Sequence, residues 1–151
     1  MEILRLLGKY GPYINLGIFF SYEFYYYLSG YITIYYYLIL CISQFISSIF
    51  NVLIEYFIKE DSSGLEETKI IPSSHSQMHA SLLTLAYMSN IPFYLILIMG
   101  ILFLITLIER YIHSISIYKL TTGTLIGFII TRIYWHFIVK PQSKKFKINR
   151  T

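Results

Sequence analysis

"PFYLILIMGILFLITLIER", Pro92 to Arg110, has no charged side chain before Glu109. A bilayer crossing needs about 20 mostly apolar residues. Within hydrocarbon every backbone N–H and C=O must be paired inside the chain, so such a stretch is a helix. Pro92 to Ile108 is therefore read as a membrane span. Downstream, Ser116 to Val139 repeats the pattern. Upstream lie a short span from His75 to about Ser89, a span over Ile32 to Ile58 and another over Tyr13 to Tyr31. Gly30 falls near the break between the first two, and a polar loop covers Lys59 to Ser74. The expected fold is all-α, a polytopic transmembrane helix bundle of about five spans. It forms a single domain over residues 1–151, with 139–151 as a basic tail.

Composition agrees. Of the 151 residues, 56% are hydrophobic and 13% charged, and mean hydropathy is +0.58. Soluble domains carry about 25% charged residues, so this chain has too little polar surface to cover a globule in water. The single cysteine, Cys41, cannot form an internal disulfide. The 16 tyrosines and 11 phenylalanines fit AT-rich coding together with the preference of tyrosine for the membrane boundary. "MEILRLLGKYGPY" lacks the form of a cleavable signal peptide. Positive charge gathers in a juxtamembrane tail, which gives no basis for nucleic-acid binding.

That tail, "KPQSKKFKINR", holds five Lys/Arg and no acid, which predicts a cytoplasmic C-terminus. Counting spans back puts Glu109 to Ile115 on the far face. Two more spans bring Lys59 to Ser74 to that same face. The two polar segments are expected to meet at one membrane surface.

"PSSHS", Pro72 to Ser76, opens the third span. Proline suits the first positions of a helix, and Ser73 or Ser74 is a natural N-cap. The first amides of the helix then point outward at the positive end of its dipole, where anions, phosphate above all, are favoured. His75 stands beside that point as a proton donor. The plainer reading, also open, is a helix cap with His75 reaching to water.

"PSSHSQ", Pro72 to Gln77, resembles the central motif of the type 2 phosphatidic acid phosphatase superfamily, and is closest to its dolichyl-diphosphate phosphatase branch. "FNVLIEYFIKED", Phe50 to Asp61, resembles the segment before that motif. The resemblance covers about Asn51 to Gly127 and implies a metal-free lipid phosphatase that needs no cofactor. It implies His75 as general acid, with Ser73, Ser74 and the amides of Ser74 and His75 near the phosphate. It further implies a lumenal site in the endoplasmic reticulum that returns a dolichyl (polyprenyl) diphosphate to the monophosphate for N-glycosylation.

The sequence departs from the family pattern in two places. If Lys59 is the lysine of the first motif, the arginine position is Glu66; aligning the helix instead gives Glu55 and Ser62. In the third motif, Arg110 is followed by Ser116 where the nucleophilic histidine belongs, and the nearest candidate is His113. On a continuing helix His113 shares a face with Arg110. The expected site is thus His75 and His113 for catalysis, Lys59, Ser73, Ser74 and Arg110 for phosphate, and no metal. The alternatives are a degenerate relative that binds a lipid phosphate head group without turnover, or a structural subunit. His79 lies one turn after His75, a metal-like spacing, but no Glu follows the first His; it is read as a polar residue facing the bundle interior. Glu23 is a pairing candidate inside an apolar run, and Arg132 with His136 anchors the end of the last span.

Overall fold

The computed structural model describes residues 2–61, 72–113 and 115–142, with no side-chain description for Leu4, Glu55 and Ile58 to Asp61. The described residues form five α-helices and no strand: α1 Glu2–Leu28, α2 Ile34–Asp61, α3 Ser74–Met88, α4 Phe93–Ile112 and α5 Ile117–Tyr134. A π-helical turn, Trp135–Val139, continues α5. Among the described residues, three stretches are long and apolar enough to cross a bilayer: Ile34–Ile54, Phe93–Ile112 and Ile117–Gln142. The first helix starts well before Tyr13, and Lys59 falls in the last turn of α2 rather than in the loop. Its side chain, and positions 62 and 66 of the first motif, lie outside the described residues.

The turns follow from local chemistry. At the end of α1, Gly30 has φ +77°, the amide of Gly30 bonds to the Tyr27 carbonyl, and that of Tyr31 to Tyr26. This is a Schellman cap, which glycine enters without a Cβ penalty. Asn90 repeats it after α3 at φ 57°, with the Asn90 amide on Tyr87 and the Ile91 amide on Ala86. Asparagine is the usual second choice for this conformation, and Pro92 then prevents the helix from continuing. At the other end, the Ile115 amide returns to the Arg110 carbonyl and Ser116 caps α5 through the Tyr118 amide at 3.3 Å.

α3 is the hub. It packs most extensively on α5 and touches each of the other helices. Gly123 and Gly127, one turn apart on α5, face Ser73, Ser76 and Gln77, where an added Cβ would overlap the α3 backbone. On α1, Gly8 and Gly11 instead make room for the side chains of Glu109, Thr106 and His79. Small residues let helix backbones approach closely, which stabilises bundles where the surroundings offer no hydrophobic drive.

The interior mixes apolar side chains such as Phe19, Leu40, Leu82, Leu85 and Met99 with buried polar ones, while the outside is apolar. Asn15, Gln44, Ser47, Ser76, Gln77, His79, Ser81 and Thr131 are buried. Ile98, Ile101, Leu104, Ile108, Leu125, Ile129 and Ile133 are exposed along α4 and α5. The buried groups bond across helices: Ser81 to Thr131 at 2.6 Å, Gln44 to Ser81 at 2.9 Å, and Gln77 to the Ser47 carbonyl at 2.7 Å.

Candidate functional site

Four helices contribute to one end of the bundle: the start of α1, the start of α3, the end of α4 and the start of α5. Ser73 is the N-cap of α3, its hydroxyl accepting from the Ser76 amide at 3.5 Å. Its own amide bonds to the Lys119 carbonyl at 2.9 Å, which docks the start of α5 beside the cap. The Ser73 carbonyl takes the Gln77 amide. The amides of Ser74 and His75 then have no partner among the described residues, in keeping with the open first turn of a helix.

His75 is half-buried there and meets Arg110 directly, with Arg110 Nη2 at 2.6 Å from His75 Nε2. A guanidinium can only donate, so Nε2 accepts and the imidazole is neutral, with its proton on Nδ1. The Lys9 backbone carbonyl lies beside the ring. Arg110 also pairs with Glu109, Nε to Oε2 at 3.7 Å. The other oxygen, Oε1, lies 3.5 Å from Nε2 of His113, four residues on. Contacts therefore run unbroken from His75 through Arg110 and Glu109 to the exposed His113 ring. Four side chains from two helices form one cluster, with Ser73 and Ser74 at its edge. Ser116, at the third-motif position, is occupied as the cap of α5.

Sequence reasoning missed Glu109 as a partner of His113. The signal was present, since the two are four apart on a helix. Lys9 was missed too. It sits on α1 at this same end with its ammonium 5.3 Å from the Tyr10 ring centre.

One turn deeper, His79 uses both nitrogens. The Asn15 amide donates to Nδ1 at 2.6 Å and to the Met99 carbonyl at 3.0 Å. Nε2 donates to the Thr106 hydroxyl at 2.9 Å, which in turn donates a hydrogen bond to the Leu102 carbonyl. A neutral ring with both nitrogens engaged is a crosslink between α1, α3 and α4. No cluster of three or more His, Cys, Asp or Glu that could hold a metal ion occurs among the described residues.

Two depressions border the cluster. A cavity of about 340 Å³ with both polar and apolar walls lies between α1, α2 and α3 and shares Ser74 and His75 with the helix mouth. An apolar groove of about 420 Å³ runs between α4 and α5 past Phe103, Leu107, Tyr111, Ile117 and Leu120.

No protein-family model, no curated protein and no solved structure matches this chain.

Proposed function

We propose that the chain is an integral membrane protein that holds a lipid phosphate at the mouth of α3 and hydrolyses it without a metal. The best specific substrate is a polyprenyl diphosphate of the dolichyl type, cut at the lumenal face of the endoplasmic reticulum to return the carrier for glycosylation. Three long apolar helices, an apolar exterior and buried polar groups that bond across helices support the membrane reading. The resemblance of Pro72 to Gln77 supports the phosphatase chemistry.

The observation that carries the proposal is the 2.6 Å contact of Arg110 with His75 beside the Ser73-capped helix mouth. With nothing between them, the guanidinium and a protonated ring repel. A phosphate dianion arriving there draws the guanidinium to its oxygens, lies over the Ser74 and His75 amides, and lets the ring carry a proton. His75 then protonates the leaving oxygen as the P–O bond breaks. His113 forms the N–P bond through Nδ1, while Nε2 faces Glu109. Water then cleaves the phosphohistidine and releases phosphate. The α4–α5 groove opens at the same end and suits an isoprenoid chain.

The test is phosphate release from a polyprenyl diphosphate by protein purified in detergent, with chelator present. We expect release by the wild-type protein and none by His75→Ala. Full activity in that variant would overturn the assignment of His75. A second reading, binding without turnover, is favoured by one specific observation: the Glu109 carboxylate sits against both Arg110 and His113 and opposes a phosphate at either. Saturable binding with no release over hours would select it.

A further inference from the structure

Exposed side chains are sorted by type along the helices. On α4 the exposed tyrosines Tyr94 and Tyr111 stand at the two ends, and the exposed residues between them are Leu97, Ile98, Ile101, Leu104 and Ile108. On α2 the order repeats. Tyr35 and Tyr56 are outermost, and the exposed large side chains from Leu38 to Leu53 are aliphatic or phenylalanine. Tyr87 closes α3 and Tyr118 opens α5, both more than 70% exposed. α1 carries Tyr10 and Tyr25, with Tyr13 deeper, where it lines the cavity beside Ser74 and His75. Coding bias would scatter exposed tyrosines along the helices and does not sort them to the ends. An apolar ring with a polar tip suits the boundary between hydrocarbon and head groups, and such residues gather at both faces of a bilayer.

Tyr25, Tyr35, Tyr87 and Tyr94 form one girdle, at the end of the Gly30 and Asn90 turns. Tyr10, Tyr56, Tyr111 and Tyr118 form the other. At 1.5 Å per residue the two girdles lie about 25 Å apart along α4 and about 31 Å apart along α2, which brackets the roughly 30 Å hydrocarbon core. Arg110, which meets His75 at 2.6 Å, directly precedes Tyr111. We propose that the second girdle seats the His75–Arg110 cluster in the head-group layer of one leaflet, so that the phosphate it takes is carried by a lipid lying in that leaflet. A deeper seat would bring the paired Arg110 and Glu109 into hydrocarbon, where charged side chains are costly. A shallower one would strand Ile108, Tyr111, Ile112, Ile117 and Tyr118 in water as one exposed apolar patch. The inference rests on the membrane reading of the proposed function and not on turnover. Protein seated at this depth that releases no phosphate leaves it standing.

The experiment measures depth by fluorescence quenching of the full chain in phosphatidylcholine vesicles. Trp135 is the one native tryptophan, so a Trp135→Phe background accepts single reporters on α4: Tyr94→Trp, Leu104→Trp or Tyr111→Trp. The vesicles contain lipid brominated either near the head group or near the end of the acyl chain. We expect Leu104→Trp to be quenched at least twofold more by the deep bromines, and Tyr94→Trp and Tyr111→Trp at least twofold more by the shallow ones. Deep quenching of Tyr111→Trp would put the cluster in hydrocarbon and overturn the inference. Quenching at 94 and 104 with none at 111 would put the cluster in water and also overturn it. Lack of quenching at all three positions would overturn it together with the membrane reading. If Trp135→Phe does not reconstitute, a nitroxide on Tyr111→Cys in a Cys41→Ser background gives the same depth. We expect it to meet both dissolved oxygen and a water-soluble nickel chelate, and access to only one of the two would overturn the proposal.

Discussion

Glu109 is the residue that separates the two proposed readings of the site. It is 8% exposed and lies between a guanidinium and an imidazole. In the catalytic reading it orients His113; in the binding-only reading it merely competes with phosphate for Arg110. Glu109→Gln separates these roles because it keeps the shape and removes the charge. We expect vanadate or phosphate to bind about fivefold more tightly, a gain of about 1 kcal/mol that is modest for a partly solvated charge pair. If His113 is the nucleophile, turnover should fall at least tenfold in the same variant, since the ring loses its orienting partner. Tighter binding together with unchanged turnover would remove Glu109 from catalysis. Arg110→Lys should weaken phosphate binding as well, because an ammonium cannot reproduce the planar fork of the guanidinium. This much of the site was legible in part: Arg110 and His75 could be assigned to one face by counting spans, and His113 by its distance from Arg110. Their direct contact was not, since it depends on how α3 and α4 are rotated against each other.

At the scale of elements, the glycines divide into two groups that sequence alone does not separate. Gly123 and Gly127 are buried against the α3 backbone, whereas Gly17 and Gly100 have nothing within 4 Å of an added Cβ. Gly127→Ala should lower stability by about 1–3 kcal/mol, because α3 and α5 must move apart to admit the methyl. Gly17→Ala and Gly100→Ala should be neutral or stabilising by about 0.5–1 kcal/mol, since alanine restricts the unfolded chain and is the better helix former. Thermal unfolding in detergent measures all three, and equal effects would show that the α3–α5 contact is not tight. The spacing of Gly123 and Gly127 was visible in "TTGTLIG", but which helix it served was not. Spacing gives the face of one helix and says nothing of its neighbour. The same holds for Gln44 and Ser47 on α2, which are read singly in sequence and find their partners Ser81 and Gln77 only when α3 is laid against them. The helices themselves were legible, because apolar length and the Gly30 and Asn-Ile-Pro breaks are local properties.

For the whole molecule, the helices alternate in direction, so the two ends of the bundle are chemically distinct. Lys9, His75, Arg110 and His113 gather at one end, and the Gly30 and Asn90 turns lie at the other. α3 has 15 residues, or about 22 Å at 1.5 Å per residue, which is short of the roughly 30 Å hydrocarbon core. It can still cross, because the four helices around it shield its polar side chains. If the bundle spans a bilayer, its two ends must open to opposite compartments. Cys41 is the one native thiol, so a Cys41→Ser background leaves a clean reporter. In sealed vesicles of uniform orientation, a membrane-impermeant maleimide added outside should label either His113→Cys or Asn90→Cys, but not both. The other position should react only after the vesicles are permeabilised. Positive charge in the tail after Val139 predicts which: α5 carries the chain to the Asn90 end, so Asn90→Cys should share the compartment of the tail and His113→Cys should face away from it. Labelling of both positions from outside would refute the membrane-spanning arrangement and with it a catalytic end secluded from the tail. Labelling of His113→Cys from the cytoplasmic side alone, with Asn90→Cys protected, would keep the bundle in the bilayer but reverse it.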